Sequence, residues 1–223
     1  MVLRLLRALT AADLLIQDSA AGCWNVGARS LRLAALLQSS SALVQVAQPI
    51  LQALVHEVGE GVTLNAYSSP QGAAINVAFV ESQKPLHYVI EPGELKYLHA
   101  GASGKAILAF LAPAERAAAL AKHGLRAITP RTPVVRAKLD RDLAAIRTAG
   151  FVITHGERLP GAVGIGAPVF GVGGKVLASM VVTVPEHRAA RGAQALCARA
   201  VRAAAVRPST ALGCQIQPSR RRA

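Results

Sequence analysis

The chain opens with a helical pattern followed by two short strands. Apolar residues recur at helical spacing over residues 3–12, and a turn at residues 19–22 separates an apolar strand at 14–16 from a second strand at 23–26. A helix followed by a hairpin is the layout of the second half of a winged helix-turn-helix, in which the helix enters the DNA major groove beside the hairpin wing. The same layout occurs in many small domains, so the pattern alone leaves both interpretations open.

A second helical pattern covers residues 27–37, and a polar stretch at residues 38–41 ends it. An apolar helix face needs cover, which a second copy of the chain would supply. The apolar positions of this helix are Leu31, Leu33, Ala34 and Leu37. We expect four segments: a small domain at 1–27, a linker helix at 28–42, a larger domain at 43–214 and a disordered basic tail at 215–223.

The larger domain mixes helices and strands at irregular intervals. Strands are predicted at 63–67, 74–80, 86–90, 151–154, 162–170 and 175–184, and helices at 44–58, 102–111, 113–122, 135–149 and 189–206. The glycine-rich segment 171–174 suits a hairpin between the last two strands. Because the helices interrupt the strands unevenly, the pattern favours an α+β fold with an antiparallel sheet over a doubly wound parallel sheet.

The net charge of +13 suggests nucleic acid as a partner, but its position along the chain matters. Residues 1–60 carry no net charge, residues 61–130 carry +2 and residues 131–223 carry +11. Four arginines of the last segment share one side of the predicted helix, which is either a solvated face or a surface for DNA or an acidic partner. They are Arg188, Arg191, Arg199 and Arg202.

The sequence does not indicate a membrane protein or a metal protein. Its longest apolar runs, such as residues 106–114, fall far short of the roughly 20 residues that span a bilayer. Arg4 and Arg7, at helical spacing near the start, do not fit a secretory signal. The three cysteines are too widely spaced for a zinc site or a disulfide framework. We expect a cytoplasmic protein without metal or cofactor.

Candidate chemistry is sparse. His155 and Glu157 are the one pair of acid–base residues worth testing, and no nucleophile has a base close to it in sequence, so an enzyme is not expected. Residues 101–105 superficially resemble a phosphate-binding loop but lack its spacing. Small residues that open a helix leave free N–H groups for an anion, and they equally permit close packing. Both interpretations of this segment stay open.

Several segments follow one another in a specific order. They are Leu-His-Ala at 98–100 with Gly-Lys-Ala at 104–106 and Leu-Ala-Phe-Leu at 108–111, Thr-Pro-Arg-Thr at 129–132, Gly-Phe at 150–151 before Glu157, residues 161–169 ending in Ala-Pro-Val, and residues 205–213. Upstream lie Arg-Leu-Leu at 4–6 and Trp-Asn-Val-Gly at 24–27. Together these segments resemble the IclR-type (isocitrate lyase regulator) family of bacterial transcription factors over nearly the whole chain.

The resemblance implies a partial winged helix-turn-helix, a linker helix that dimerises, and a GAF-like domain that binds a small, often carboxylate, effector. The protein would be a homodimer or homotetramer, with Arg4 and Arg7 on DNA. The effector's carboxylate would meet the helix start at Ala102 and Ser103. The implied effector residues are Ala102, Ser103, Thr154, Gly164, Val181 and Thr183.

The chain departs from the family in two places. Thr154 stands where some members carry Asp, and Gly164 where some carry Cys. We therefore expect a roomier and less polar pocket that prefers an aromatic or medium-sized carboxylic acid to a two-carbon keto acid. The chain also begins inside the segment that resembles the recognition helix, so we expect an N-terminally truncated member, with a misassigned start or a degenerate regulator as the alternatives.

Two other functions compete with that of a regulator. A truncated member would bind DNA weakly and through charge alone, whereas a full-length form would bind an operator. The main alternative is a stand-alone small-molecule-binding protein without DNA-binding activity, and a hydrolytic or redox enzyme comes third.

Overall fold

A computed structural model describes residues 1–18, 21–33, 41–89 and 91–214. The chain divides into two units, Met1–Gln45 and Val46–Ala223. Parts of the predicted features lie outside the described residues: half of the first turn, Ala34 and Leu37 of the linker helix, the polar break at 38–40, Ile90 and the basic tail.

The first unit contains a helix and a two-stranded hairpin, as predicted. Helix α1 spans Val2–Ala11, and strand β1 (Leu15–Asp18) pairs antiparallel with β2 (Cys23–Val26). A further helix begins at residue 28 and continues through residue 33. No residue of α1 is buried, and Leu31 and Leu33 are exposed as well, so this unit presents much apolar surface.

Asp13 and Gly27 determine how α1 is joined to the hairpin. Asp13 has a φ of +57°, a left-handed conformation that Asp tolerates better than most residues. A side chain at Gly27 would place its Cβ 2.3 Å from the Asp13 carbonyl oxygen. The close approach of these two backbone segments therefore requires glycine at position 27.

The second unit is built on a six-stranded sheet with the order β5-β4-β3-β8-β7-β6, and every neighbouring pair is antiparallel. This confirms the predicted α+β class and the antiparallel sheet. The strands are β3 (Gly61–Ser68), β4 (Ala73–Val80), β5 (Leu95–Tyr97), β6 (Val152–His155), β7 (Ala162–Phe170) and β8 (Val176–Pro185). The helices are α2 (Ala42–Val58), α3 (Gly101–Leu108), α4 (Pro113–His123), α5 (Arg136–Ala149) and α6 (Arg191–Ala211).

Helix α3 lies against β6, β7 and β8, and α6 packs on β7 and β8. Neighbouring residues of β8 point to opposite faces, so Val181 and Met180 lie on different sides of the sheet, and both are buried. The sheet is thus covered on both faces. The core on the α3 side is formed by apolar residues of α3, α4 and α5, including Ile107, Leu139 and Leu143.

The predicted strand at 86–90 is wrong. Residues 86–89 form no strand, and Leu86 and Val89 are exposed. The edge position beside β4 is taken by β5, where Ile75 pairs with Leu95. The segment 86–89 resembles a strand in sequence. However, Pro85 precedes this segment, and its apolar side chains Leu86 and Val89 are exposed instead of packed against another layer. Lys96, in the middle of β5, interrupts the apolar pattern, so the sequence did not predict this strand.

Two predicted helices differ by three or more residues at their C-terminal ends. Helix α3 stops at Leu108 instead of residue 111, because the chain turns before Pro113, which begins α4. Helix α6 starts two residues later than predicted and extends to Ala211, passing through Pro208.

Candidate functional site

The structure brings all six predicted effector residues to one cavity. They come from four elements: the start of α3 and the strands β6, β7 and β8. The residues are Ala102, Ser103, Thr154, Gly164, Val181 and Thr183. Since these residues are spread over more than 80 positions of the chain, only the fold places them side by side.

Strand register explains the wall of this cavity. Gly164 pairs with Thr154 on one side and with Thr183 on the other, so the three residues form one row across the sheet. Two residues further along, Val181 pairs with Gly166 and with Thr63. Because residues two apart on a strand share a face, both rows face α3.

The small residues at the start of α3 permit very close packing. A Cβ at Gly104 would lie 2.4 Å from the Tyr97 carbonyl oxygen, and one at Gly166 would lie 3.3 Å from the Ala102 carbonyl oxygen. A Cβ at Gly164 would come within 3.1 Å of the Ala102 Cβ. Residues 101–105 had two interpretations, an anion site and close packing, and the structure shows the close packing. It brings the first turn of the helix onto the sheet, where its N–H groups border the cavity.

A carboxylate of the chain itself binds the first N–H group of α3. Glu157 Oε2 accepts a hydrogen bond from the Gly101 N–H at 3.0 Å, while its Oε1 accepts one from Lys105 Nζ at 2.6 Å. Lys105 also donates to Asp142 at 2.8 Å and is only 2% exposed. This ion-pair cluster joins α3, α5 and the β6–β7 loop, and it accounts for the lysine of the Gly-Lys-Ala motif.

The Thr-Pro-Arg-Thr motif holds the same loop in place. The Thr129 hydroxyl donates to the Gly156 carbonyl oxygen at 2.7 Å, and the Thr132 hydroxyl donates to the Glu157 carbonyl oxygen at 2.6 Å. Thr132 in turn accepts from the backbone N–H of Thr129 at 2.9 Å. Both threonines are buried, so the motif positions Glu157 through the backbone instead of contacting the cavity.

Sequence reasoning missed two cations that line the cavity, Lys96 and Arg158. Lys96 Nζ donates to Asn65 Oδ1 at 2.8 Å, and Asn65 Nδ2 donates to the Thr63 hydroxyl at 2.9 Å. Burial lowers the pKa of Lys96 to about 8 and also lowers the pKa of Arg158. A lysine between two strand-like residues, Leu95 and Tyr97, was the available signal, but the strand itself was not recognised.

The cavity is small and polar. Its volume is about 60 Å³, and charged side chains share its lining with threonine and serine hydroxyls. Neighbouring strands contribute Lys96 and Thr63 to this lining, and the β6–β7 loop contributes Arg158. The expectation of a pocket roomier and less polar than that of small keto-acid binders stays a prediction. Ligand pockets usually exceed about 300 Å³, so this shape suits only a small guest unless the loop moves.

Of the six residues, Ser103 has the surroundings that best suit ligand binding. It is 6% exposed, and its carbonyl oxygen accepts a hydrogen bond from Ser179 at 2.9 Å. Its hydroxyl has no hydrogen-bond partner within the described residues. This hydroxyl beside free helix N–H groups is therefore available to a ligand.

Of the remaining charged candidates, Glu157 lines the cavity and the others do not. Arg4 and Arg7 are exposed on α1. His155 is exposed, whereas Glu157 is bound to Lys105 and Gly101, so the two do not form the acid–base pair considered above.

The predicted arginine face of the last helix is only partly confirmed. Arg191, Arg199 and Arg202 are exposed on α6. Arg188 lies before the helix and makes two hydrogen bonds to Glu60, at 2.8 and 3.0 Å. It is therefore not part of a solvated cationic stripe.

The described residues offer neither a membrane-spanning helix nor a cluster of metal ligands. No helix among them is long and apolar enough to cross a membrane. In the same residues no group of three or more His, Cys, Asp or Glu side chains could hold a metal ion.

Comparison with known proteins gives consistent matches. Residues 35–210 match the family model described as bacterial transcriptional regulator IclR C-terminal. The HTH-type transcriptional regulator BhcR of Paracoccus denitrificans is 31% identical over 185 residues, which cover 83% of this chain. The HTH-type transcriptional repressor AllR of Escherichia coli K12 is 29% identical over 96% of this chain. The matches span 66% of BhcR and 79% of AllR.

A solved structure shares the fold. An IclR homolog from Microbacterium hydrocarbonoxydans, complexed with 4-hydroxybenzoate, superposes with a TM-score of 0.78 and 26% identity. The match covers 94% of this chain and 83% of that protein.

Proposed function

We propose that this chain, which belongs to the IclR family of bacterial transcriptional regulators, senses a small carboxylate and thereby controls binding to an operator. The observation that carries the proposal is the convergence of six residues from four elements on one cavity at the start of α3. The relatives named above are transcriptional regulators, which favours this function over a stand-alone binding protein or an enzyme.

The start of α3 suits a carboxylate on physical grounds. The first N–H groups of a helix have no intrahelical partner, and the helix dipole places partial positive charge there. Gly101 already donates to Glu157, which leaves the N–H groups of Ala102 and Ser103 and the free Ser103 hydroxyl. The two oxygens of a carboxylate can accept hydrogen bonds from all three donors, as in other helix N-terminal anion sites.

The DNA-binding part of the proposal rests on the first unit. Helix α1 would enter the major groove with Arg4 and Arg7 near phosphates, and the β1–β2 hairpin would act as the wing. The helix that begins at residue 28 would pair with a second copy in a homodimer or homotetramer. Such a regulator would act in the cytoplasm.

Filling the cavity tests the effector site. Thr183 lines the cavity and its hydroxyl makes no hydrogen bond within the described residues, so Thr183→Met adds bulk without breaking a side-chain hydrogen bond. Titration calorimetry with a panel of two- to seven-carbon carboxylates, 4-hydroxybenzoate included, should find at least one ligand whose affinity the substitution lowers by tenfold or more. The matched control is Thr148→Met, at an exposed position of α5.

The site is elsewhere if a carboxylate binds wild type and Thr183→Met equally well. If no carboxylate binds wild type, the proposed function fails. A change in the protein's affinity for duplex DNA on adding the bound acid would support the regulatory role, whereas an unchanged affinity would favour a stand-alone binding protein.

A further inference from the structure

Lys96 and Arg158 place two cations on one cavity, beyond the six residues that the proposed function uses. Lys96 belongs to strand β5 and is 6% exposed; the Arg158 side chain, from the β6–β7 loop, is 20% exposed. Within the described residues neither cation forms an ion pair with Glu157, which is held by Lys105. The cavity therefore has a second positive region in addition to the start of α3.

Glu94 is the acid that accompanies these two cations. One of its carboxylate oxygens forms an ion pair with Arg158, and the other lies 4.0 Å from Lys96 Nζ, beyond hydrogen-bond distance. Glu94 does not line the cavity, and about a third of its side chain is exposed. Its carboxylate can therefore leave Arg158 for water at a modest cost in free energy.

Lys96 is incompletely paired for a buried ammonium group. Among the described residues its single hydrogen bond within 3.5 Å goes to the neutral side-chain oxygen of Asn65, although an ammonium has three N–H donors. Burying a charge without a close counter-ion is expensive, and such groups cluster at functional sites. An apolar residue at this strand position would cost less free energy to bury. We therefore infer that the charge of Lys96 serves a function.

We propose that the effector is a short dicarboxylate: one carboxylate binds at the start of α3, and the second binds Lys96 and Arg158 in place of Glu94. This inference rests on the proposed function and names the ligand class of the same site. The small cavity volume, about 60 Å³, favours a short aliphatic diacid over an aromatic one. Glu94 acts as a built-in competitor, because the effector must displace its carboxylate from Arg158.

The first experiment compares acids of equal length on wild-type protein. Titration calorimetry with malonate and succinate, against propionate and butyrate, should show at least tenfold tighter binding of one diacid than of its monoacid. Arg158→Gln and Lys96→Met should each reduce this preference of diacid over monoacid to less than threefold. The matched control is Arg136→Gln, an exposed arginine of α5 that pairs with Asp140.

Glu94→Gln tests the competition. If Glu94 competes with the effector, its removal should tighten diacid binding about fivefold or more and leave monoacid binding unchanged. A residue that only supports the loop would weaken binding instead, and that result overturns the role of Glu94. Glu81→Gln, at an exposed position, is the control for the loss of one negative charge.

The outcomes separate the two proposals. Equal binding of diacid and monoacid, both abolished by Thr183→Met, overturns the dicarboxylate inference and keeps the effector site. Diacid binding that is insensitive to Thr183→Met but lost in Arg158→Gln overturns the site at α3 itself. Tighter binding of 2-phosphoglycolate than of malonate would assign the Lys96–Arg158 region to a phosphate and overturn the dicarboxylate class.

Discussion

Lys105 Nζ lies 2.6 Å from Glu157 Oε1 and is almost completely buried, so a single ammonium group ties helix α3 to the loop that borders the cavity. Asp142 of α5 completes the cluster at 2.8 Å. The Glu157 carboxylate in turn accepts from the Gly101 N–H. The start of α3 and the β6–β7 loop are therefore held together by charge.

Removing this ammonium group should be costly. Lys105→Met leaves two carboxylates facing each other without a counter-ion, so we expect the free energy of unfolding to fall by about 3 kcal/mol or more. Urea denaturation followed by circular dichroism measures the change. The control is Lys138→Met. Lys138 is exposed on the side of α5 that carries Asp142, and its replacement should change stability by less than about 0.5 kcal/mol. If Lys105→Met changed the free energy of unfolding only slightly, the ion-pair cluster would not be what holds α3 and the β6–β7 loop together.

Two glycines in helices should respond to alanine in opposite directions. A Cβ at Gly104 would clash with the backbone of Tyr97 and Leu98, at 2.4 and 2.7 Å, so Gly104→Ala should destabilise the protein by about 3 kcal/mol or more. A Cβ at Gly192, in α6, meets nothing within 4 Å, so Gly192→Ala should stabilise it by up to about 1 kcal/mol. Thermal unfolding of both variants checks the pair. A tolerated alanine at position 104 would contradict the close approach of α3 to the strand before it.

Lys96 should make stability depend on pH above neutrality. Burial lowers its pKa from 10.5 to about 8, so the folded protein releases this proton before the unfolded chain does. Below pH 8 both states are protonated and the cost of burying the charge, about 3 kcal/mol, is fully present. As pH rises from 8 to 10.5 that cost disappears, and the wild type gains stability relative to Lys96→Met.

The pH dependence of this difference is the diagnostic quantity, because the lost hydrogen bond to Asn65 adds an offset that does not vary with pH. Urea denaturation of both proteins at pH 7, 8, 9 and 10 measures it. A difference that stays flat over this range would mean that Lys96 keeps its ordinary pKa.

Arg4 and Arg7 should account for part of the salt dependence of DNA binding. Each phosphate contact contributes about 0.9 to the slope of log K against log salt, so replacing both arginines by Gln should lower the slope by up to about 2. Fluorescence anisotropy with a random 30-base-pair duplex at several salt concentrations measures it. The parallel variant Arg199→Gln/Arg202→Gln tests the basic face of α6, and a larger change there would move the DNA surface to that helix.

Leu31 and Leu33 should support self-association. They are 63% and 51% exposed on the helix that begins at residue 28, and we expect a second copy to cover them. Wild type should be a dimer or tetramer by light scattering at micromolar concentration, and Leu31→Gln/Leu33→Gln should shift it to smaller species. Leu86→Gln/Val89→Gln, at an equally exposed pair, is the control. A monomeric wild type would contradict the prediction.

Local sequence determined most of the secondary structure. The apolar strand at 162–170, the glycines at 171–174 and the Pro113 helix start depend on backbone preferences within a few residues, and the structure has them where the pattern predicts. The resemblance to family motifs added the six cavity residues, which no periodicity could single out.

Only the tertiary structure decided which strand forms the sheet edge and which charges reach the cavity. Residues 86–89 alternate as a strand does, yet β5 lies in that place, since an edge is chosen by what can pack and pair across the sheet. Lys96, Arg158 and Glu94 are separated by up to 64 positions, and their association depends on the β3–β4–β5 order and on the loop that Thr129 and Thr132 hold. Interactions over such separations leave no local pattern, because their energies arise only after the chain has folded.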